Sequence, residues 1–101
     1  MELPCIATNF SGPAAFLRDD NSFALQPDRA LPGGGAEPSV AELRSQMRAV
    51  MADPPEAARR ARRARETMVR EFSQPVLART VHLRLKEIAA ALATRGALND
   101  I

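Results

Sequence analysis

The chain has no tryptophan and no tyrosine, and four phenylalanines supply all the aromatic bulk of its 101 residues. Much of its 46% hydrophobic content is alanine, so its helices pack closely and bury little area at roughly 25 cal/mol per Å². A domain of this size leaves over a third of its unfolded-chain surface exposed, by area scaling. The core is expected to be thin. Cys5 and His82 are the only residues of their types, which excludes an internal disulfide and leaves too few ligands for a zinc site or a Cys-His pair. Cys5 lies in an apolar run and reads as a small core residue. Lys86 is the single lysine, so the basic charge is arginine, and a net charge of +2 demands no acidic partner. No run approaches the roughly 18 apolar residues of a membrane span, and residues 1–10 lack a basic segment leading into an apolar one. The expectation is a soluble, cytoplasmic chain with no transmembrane segment, no metal and no cofactor.

Chain order then carries the reading. Cys5 to Thr8 is apolar and partly β-branched without polar alternation, the pattern of a strand covered on both faces in a parallel sheet. A glycine-containing turn, one helical turn near Pro13 and a second strand, Phe23 to Leu25, follow. A covered strand needs neighbours on both sides and Phe23–Leu25 supplies one, while a sheet of two strands is marginal in water. The chain is expected either to borrow a sheet from a partner or to be the tail of a longer protein, with Met1 an internal methionine of that frame. Asp19-Asp20 reads as turn chemistry ahead of the second strand. Gln26 to Pro38, with three prolines and the triple glycine Gly33 to Gly35, reads as a flexible surface connection.

From Ser39 onward the pattern is helical. Ser39 and Glu42 make the sequence of a reciprocal capping box, and Val40, Leu43, Met47, Val50 and Met51 recur at helical steps as a core face. Asp53 is the N-cap of a second helix over Pro54 to Glu71, with Ala57, Ala61, Ala64, Met68 and Phe72 on one side. Ser73 caps a third helix whose apolar face is Leu77, Val81, Leu85, Ile88 and Leu92. Gly96 is placed as its C-cap. The run Arg59 to Arg65 invites a nucleic-acid reading, but it holds no aromatic residue and leaves Ala61 and Ala64 three apart, as a solvated helix face does. No nucleic-acid partner is expected, and the alanine side is too small to insert strongly into a lipid surface.

Asn9 to Gly12 sits where a strand turns into a helical segment, the place where open α/β sheets bind ligands. Leu3-Pro4-Cys5-Ile6-Ala7-Thr8 followed by Asn9-Phe10-Ser11-Gly12-Pro13 resembles the strand and turn near the carboxyl end of retaining, GT-B-type glycosyltransferases of group 1. Asp20-Asn21-Ser22-Phe23-Ala24-Leu25 is similar to the family's next strand and its lead-in. Ala36-Glu37-Pro38-Ser39 and the stretch from Ala64 to Ser73 are similar to its tail helices. The resemblance covers most of residues 1–90. It implies an α/β fold, a partial Rossmann-like unit of two short parallel strands followed by three α-helices. Residues 1–72 would be the carboxyl-terminal part of the transferase domain, with a flexible loop at 26–38, residues 73–95 a carboxyl-terminal helix, and 96–101 a tail.

The activity implied is transfer of a sugar from a nucleotide-sugar donor to an acceptor with retention, in concert with a missing N-terminal domain. The family's two glutamates seven residues apart and its basic diphosphate-binding residues would lie upstream of Met1. No catalytic residue is therefore expected in this chain, which is expected to be inactive alone. Thr8, Asn9, Ser11 and Gly12 would line the donor side of the cleft. Many relatives carry His-x-Trp before the Ala-Glu-Pro-Ser, where this chain has Pro32-Gly33-Gly34-Gly35. The alternative is a small helical interaction module with a basic surface, not an enzyme, binding a partner through the Leu77, Val81, Leu85 and Ile88 face.

Overall fold

A computed structural model describes residues 2–99, the side chains only as far as residue 96. Its elements are β1 (Ile6–Thr8), a four-residue 3-10 turn (Gly12–Ala15), β2 (Phe23–Leu25), β3 (Pro27–Ala30), β4 (Ala36–Pro38), α1 (Val40–Ala52), α2 (Pro54–Phe72) and α3 (Gln74–Asn99). The fold is mixed α/β, and β1 and β2 are parallel, pairing Ile6 with Phe23, Ala7 with Ala24 and Thr8 with Leu25. The chain forms two compact units that divide between Thr67 and Met68, within the length of α2.

In the first unit the buried apolar residues are Leu17, Phe23, Leu25, Ala57 and Ala61. β2 supplies the bulk, and α2 adds Ala57 and Ala61, which stand one helical turn apart on its buried side. β1 is only half-buried along its length. Cys5, expected in the core, is exposed. The strand it leads into has a neighbour on one side only, so nothing covers its start.

The caps form where local sequence places them. The Glu42 N–H donates to Ser39 Oγ at 3.3 Å and the Glu56 N–H to Asp53 Oδ1 at 3.1 Å. The reciprocal half of the first box is not made. Instead the Glu42 carboxylate accepts the Gln26 N–H at 3.2 and 3.3 Å, and Gln46 Nε2 donates to the Ala24 carbonyl at 3.4 Å. α1 thus sets its polar residues Glu42 and Gln46 against β2. Of the stripe expected as core only Val50 is half-buried, while Val40, Leu43, Met47 and Met51 are outside, Val40 71% and Met51 82% exposed.

Residues 26–38, expected as a flexible connection, form a hairpin. β3 and β4 pair antiparallel, Arg29 opposite Glu37, with a bulge between Pro27 and Arg29. Gly33 and Gly34 take φ of 87° and 91°, and the Leu31 N–H donates to the Gly35 carbonyl at 2.8 Å. The glycines reverse the chain where a linker would extend it. An Arg29–Glu37 ion pair joins the two strands.

The second unit holds the end of α2 and all of α3. The Leu77 N–H donates to the Ser73 carbonyl at 2.9 Å, which begins α3 as expected. Gly96 does not end it: the helix runs on to Asn99, so the break expected between a helix at 73–95 and a tail at 96–101 is absent as far as Asn99. A single glycine costs about 1 kcal/mol within a helix, too little to stop one flanked by good helix formers. Leu77, Val81, Leu85, Ile88 and Leu92 are all exposed.

Candidate functional site

The candidate site is the turn that leaves β1. Its backbone is fixed by two bonds, the Asn9 N–H to the Leu25 carbonyl at 2.7 Å and the Phe10 N–H to the Thr8 carbonyl at 2.9 Å. Ser11 then adopts φ 59° and ψ −132°, the only positive φ among the described non-glycine residues. Those are the dihedrals of the first central position of a type II′ turn, which glycine adopts without strain. Pro13 fixes the next step, and the Ala14 N–H closes on the Ser11 carbonyl at 3.1 Å. Ser11→Gly is expected to stabilise the chain by about 1 kcal/mol, strain relieved outweighing backbone entropy lost. A urea titration followed by far-UV circular dichroism reads the shift in midpoint.

Thr8 and Asn9 are half-buried, whereas Ser11 and Gly12 are exposed. Gly12 has open space around it, for a Cβ there would meet nothing within 4 Å. The four residues thus lie together at the carboxyl end of the parallel pair. A hollow of about 290 Å³ is lined by Phe10 of the turn and the β3–β4 hairpin. Among the described residues no group of three or more His, Cys, Asp or Glu side chains stands close enough to hold a metal ion. No helix of the described residues is long and apolar enough to cross a membrane.

The segment behind the turn is held by a polar cluster that sequence reasoning missed. Asn21, Ser22 and Thr67 are buried. Asn21 Oδ1 accepts the Arg18 N–H at 2.8 Å, and its Nδ2 donates to the Phe16 carbonyl at 2.9 Å and to Thr67 Oγ1 at 3.4 Å. The Thr67 hydroxyl donates to the Arg63 carbonyl at 3.0 Å, leaving its oxygen to accept. Ser22 Oγ donates to the Arg18 carbonyl at 2.7 Å. Arg60 lies 4.3 Å over the Phe23 ring, donates to the Ser22 carbonyl at 3.0 Å and pairs with Glu56. Arg60 is therefore a structural clamp. Its neighbours Arg59, Arg62, Arg63 and Arg65 are exposed, as a solvated helix face requires.

The two edges of the parallel pair differ. β2 turns the Phe23 N–H and the Leu25 carbonyl to β1, so by alternation Ala24 and Gln26 point outward, onto Gln46 and Glu42. That edge is closed by α1. β1 turns the Cys5 carbonyl and the Asn9 N–H to β2, so the groups of Ile6 and the Thr8 N–H point to its other side, where the sheet has no further strand. Neither charge nor proline within β1 blunts that edge, as an exposed edge strand ordinarily requires.

The chain matches no family model, no curated protein and no solved structure.

Proposed function

We propose that this chain is the carboxyl-terminal part of a retaining GT-B glycosyltransferase, a Rossmann-like unit that works with a preceding domain to move a sugar from a nucleotide-sugar donor to an acceptor. The observation that carries the reading is the unequal sheet. One edge is capped by side chains of α1 and the other presents bare, uncharged backbone, the form expected where a parallel sheet continues. The turn of Thr8, Asn9, Ser11 and Gly12 at the carboxyl end of that sheet is where a donor would be lined, in agreement with the motif resemblance. Stabilising the departing diphosphate is the dominant catalytic demand, and it needs positive groups that the turn does not hold. The chain alone is expected to give no acceptor-dependent turnover of uridine- or guanosine-diphosphate sugars, measured as release of labelled nucleoside diphosphate.

The coding sequence directly upstream of Met1 tests the reading itself. An open frame encoding two glutamates seven residues apart supports it, and an in-frame stop overturns it. A stop would favour the second reading, a helical interaction module, for which the exposed Leu77, Val81, Leu85 and Ile88 of α3 speak.

A further inference from the structure

β1 offers its outer side an uneven row of backbone groups. Since Cys5, Ala7 and Asn9 turn theirs to β2, the outward set is the Pro4 carbonyl, both groups of Ile6 and both of Thr8. Two places in that row are blank. Pro4 has no N–H to give, and the Thr8 carbonyl already accepts the Phe10 N–H at 2.9 Å. An ordinary antiparallel strand laid along β1 would therefore leave a carbonyl unmet opposite Pro4 and an N–H unmet opposite Thr8. The two blanks are complementary, and they lie at equal distances in the chain before and after Ile6.

We infer that β1 of the 101-residue chain pairs antiparallel with β1 of a second copy, about a two-fold axis through Ile6. In that register Ile6 exchanges both its bonds with its own equivalent, and the Thr8 N–H of each copy donates to the Pro4 carbonyl of the other. No group in the row is left over. Centred on Ala7 or Thr8, the axis would instead aim the N–H of Ile6 or of Thr8 at a Thr8 carbonyl already in use. The pairing joins two marginal two-stranded sheets into one continuous sheet in the order β2, β1, β1, β2. The inference does not rest on the glycosyltransferase reading. A strand from a preceding domain would take the same outward groups, so the copies would part wherever that strand is present.

Disulfide trapping reads the register. Cys5 of one copy faces Ala7 of the other in a non-hydrogen-bonded pair, with Cα atoms about 4.5 Å apart, within the reach of a disulfide. Two Cys5 residues, or two residues at position 7, lie about 8 Å apart on the diagonal, which is beyond it. The parent chain and the variant C5A/A7C are oxidised in a glutathione buffer, each alone and as an equimolar mixture, and covalent dimer is read by non-reducing electrophoresis. The mixture is expected to give at least about tenfold more dimer than either chain alone. Amide exchange of the parent needs no variant. Between about 10 µM and about 1 mM the Ile6 and Thr8 amides are expected to gain about tenfold protection, while the Phe23 and Asn9 amides, bonded within one copy, are protected at both. Dimer from C5A/A7C alone, no excess in the mixture, or Ile6 and Thr8 exchange that ignores concentration would overturn the inference. The upstream frame plays no part in either measurement, so this inference and the glycosyltransferase reading can fail separately.

Discussion

Phe23→Ala is expected to destabilise the first unit by about 3–4 kcal/mol, the usual cost of removing a buried phenylalanine ring together with the cavity left behind. Phe23 is the largest of the buried apolar residues, and the others are two leucines and two alanines. There is little to collapse into the space. The ring also carries the Arg60 guanidinium at 4.3 Å, so its loss removes a cation–π contact of roughly 0.5–1 kcal/mol and loosens the arginine that holds the Ser22 carbonyl. With so thin a core, a loss of this size is expected to abolish the cooperative transition. Tryptophan fluorescence is not open to this protein, so the measurement is amide exchange. The Phe23 and Asn9 amides, both bonded between β1 and β2, should lose protection together. Leu3→Ala, at an exposed position, should change stability by less than about 0.5 kcal/mol. A Phe23→Ala loss below about 1 kcal/mol would show that the core lies elsewhere.

What the sequence made legible was local. Ser39 and Asp53 cap helices because each needs only a backbone N–H three residues on, and both bonds are present. The parallel pairing of β1 with β2 was also legible, for two short apolar strands joined by a helical turn have few other arrangements. The rotation of α1 was not. Its apolar stripe was the stronger periodic signal, yet the side of the helix that meets the sheet is the one on which Glu42 and Gln46 bond two outward-pointing backbone groups of β2. A hydrophobic pattern finds the apolar face without saying whether anything covers it. The hairpin at 27–38 was hidden for a related reason: glycines that read as a flexible linker serve equally as a reversing turn, and the pairing partners lie beyond any local window. At the candidate site, the positions of Thr8, Asn9, Ser11 and Gly12 followed from the strand–turn pattern, but the strained φ of Ser11 has no sequence signature. The polar cluster behind them went unread because Thr67 stands beside Met68 on α2, and apolar preference chose the methionine for the inner position that the threonine holds.

That cluster makes the second large effect separable from simple loss of volume. Asn21→Leu keeps the bulk of the side chain but removes the acceptor of the Arg18 N–H and the donor to the Phe16 carbonyl and Thr67 Oγ1. Two part-buried backbone bonds lost at roughly 1–3 kcal/mol each place the expected cost at about 3 kcal/mol, and it should not vary with pH. Asn21→Asp tests which atoms matter. The oxygen facing Arg18 survives, while the atom facing Phe16 and Thr67 changes from donor to acceptor and the group becomes a buried charge. Burial holds the introduced carboxyl's folded-state pKa above its unfolded value, so the penalty is full at pH 7 and shrinks as pH falls through that raised pKa, where the neutral acid regains a donor. Urea titrations of the two variants and the parent at pH 7 and at about pH 4.5, just above the ordinary carboxylate range, should show the aspartate variant recovering against the parent while the leucine variant does not. Equal deficits for both variants at both pH values would mean that Asn21 is there for its shape. Recovery of the aspartate variant alone would mean that the loop from Phe16 to Ser22 is held to α2 by the direction of its hydrogen bonds.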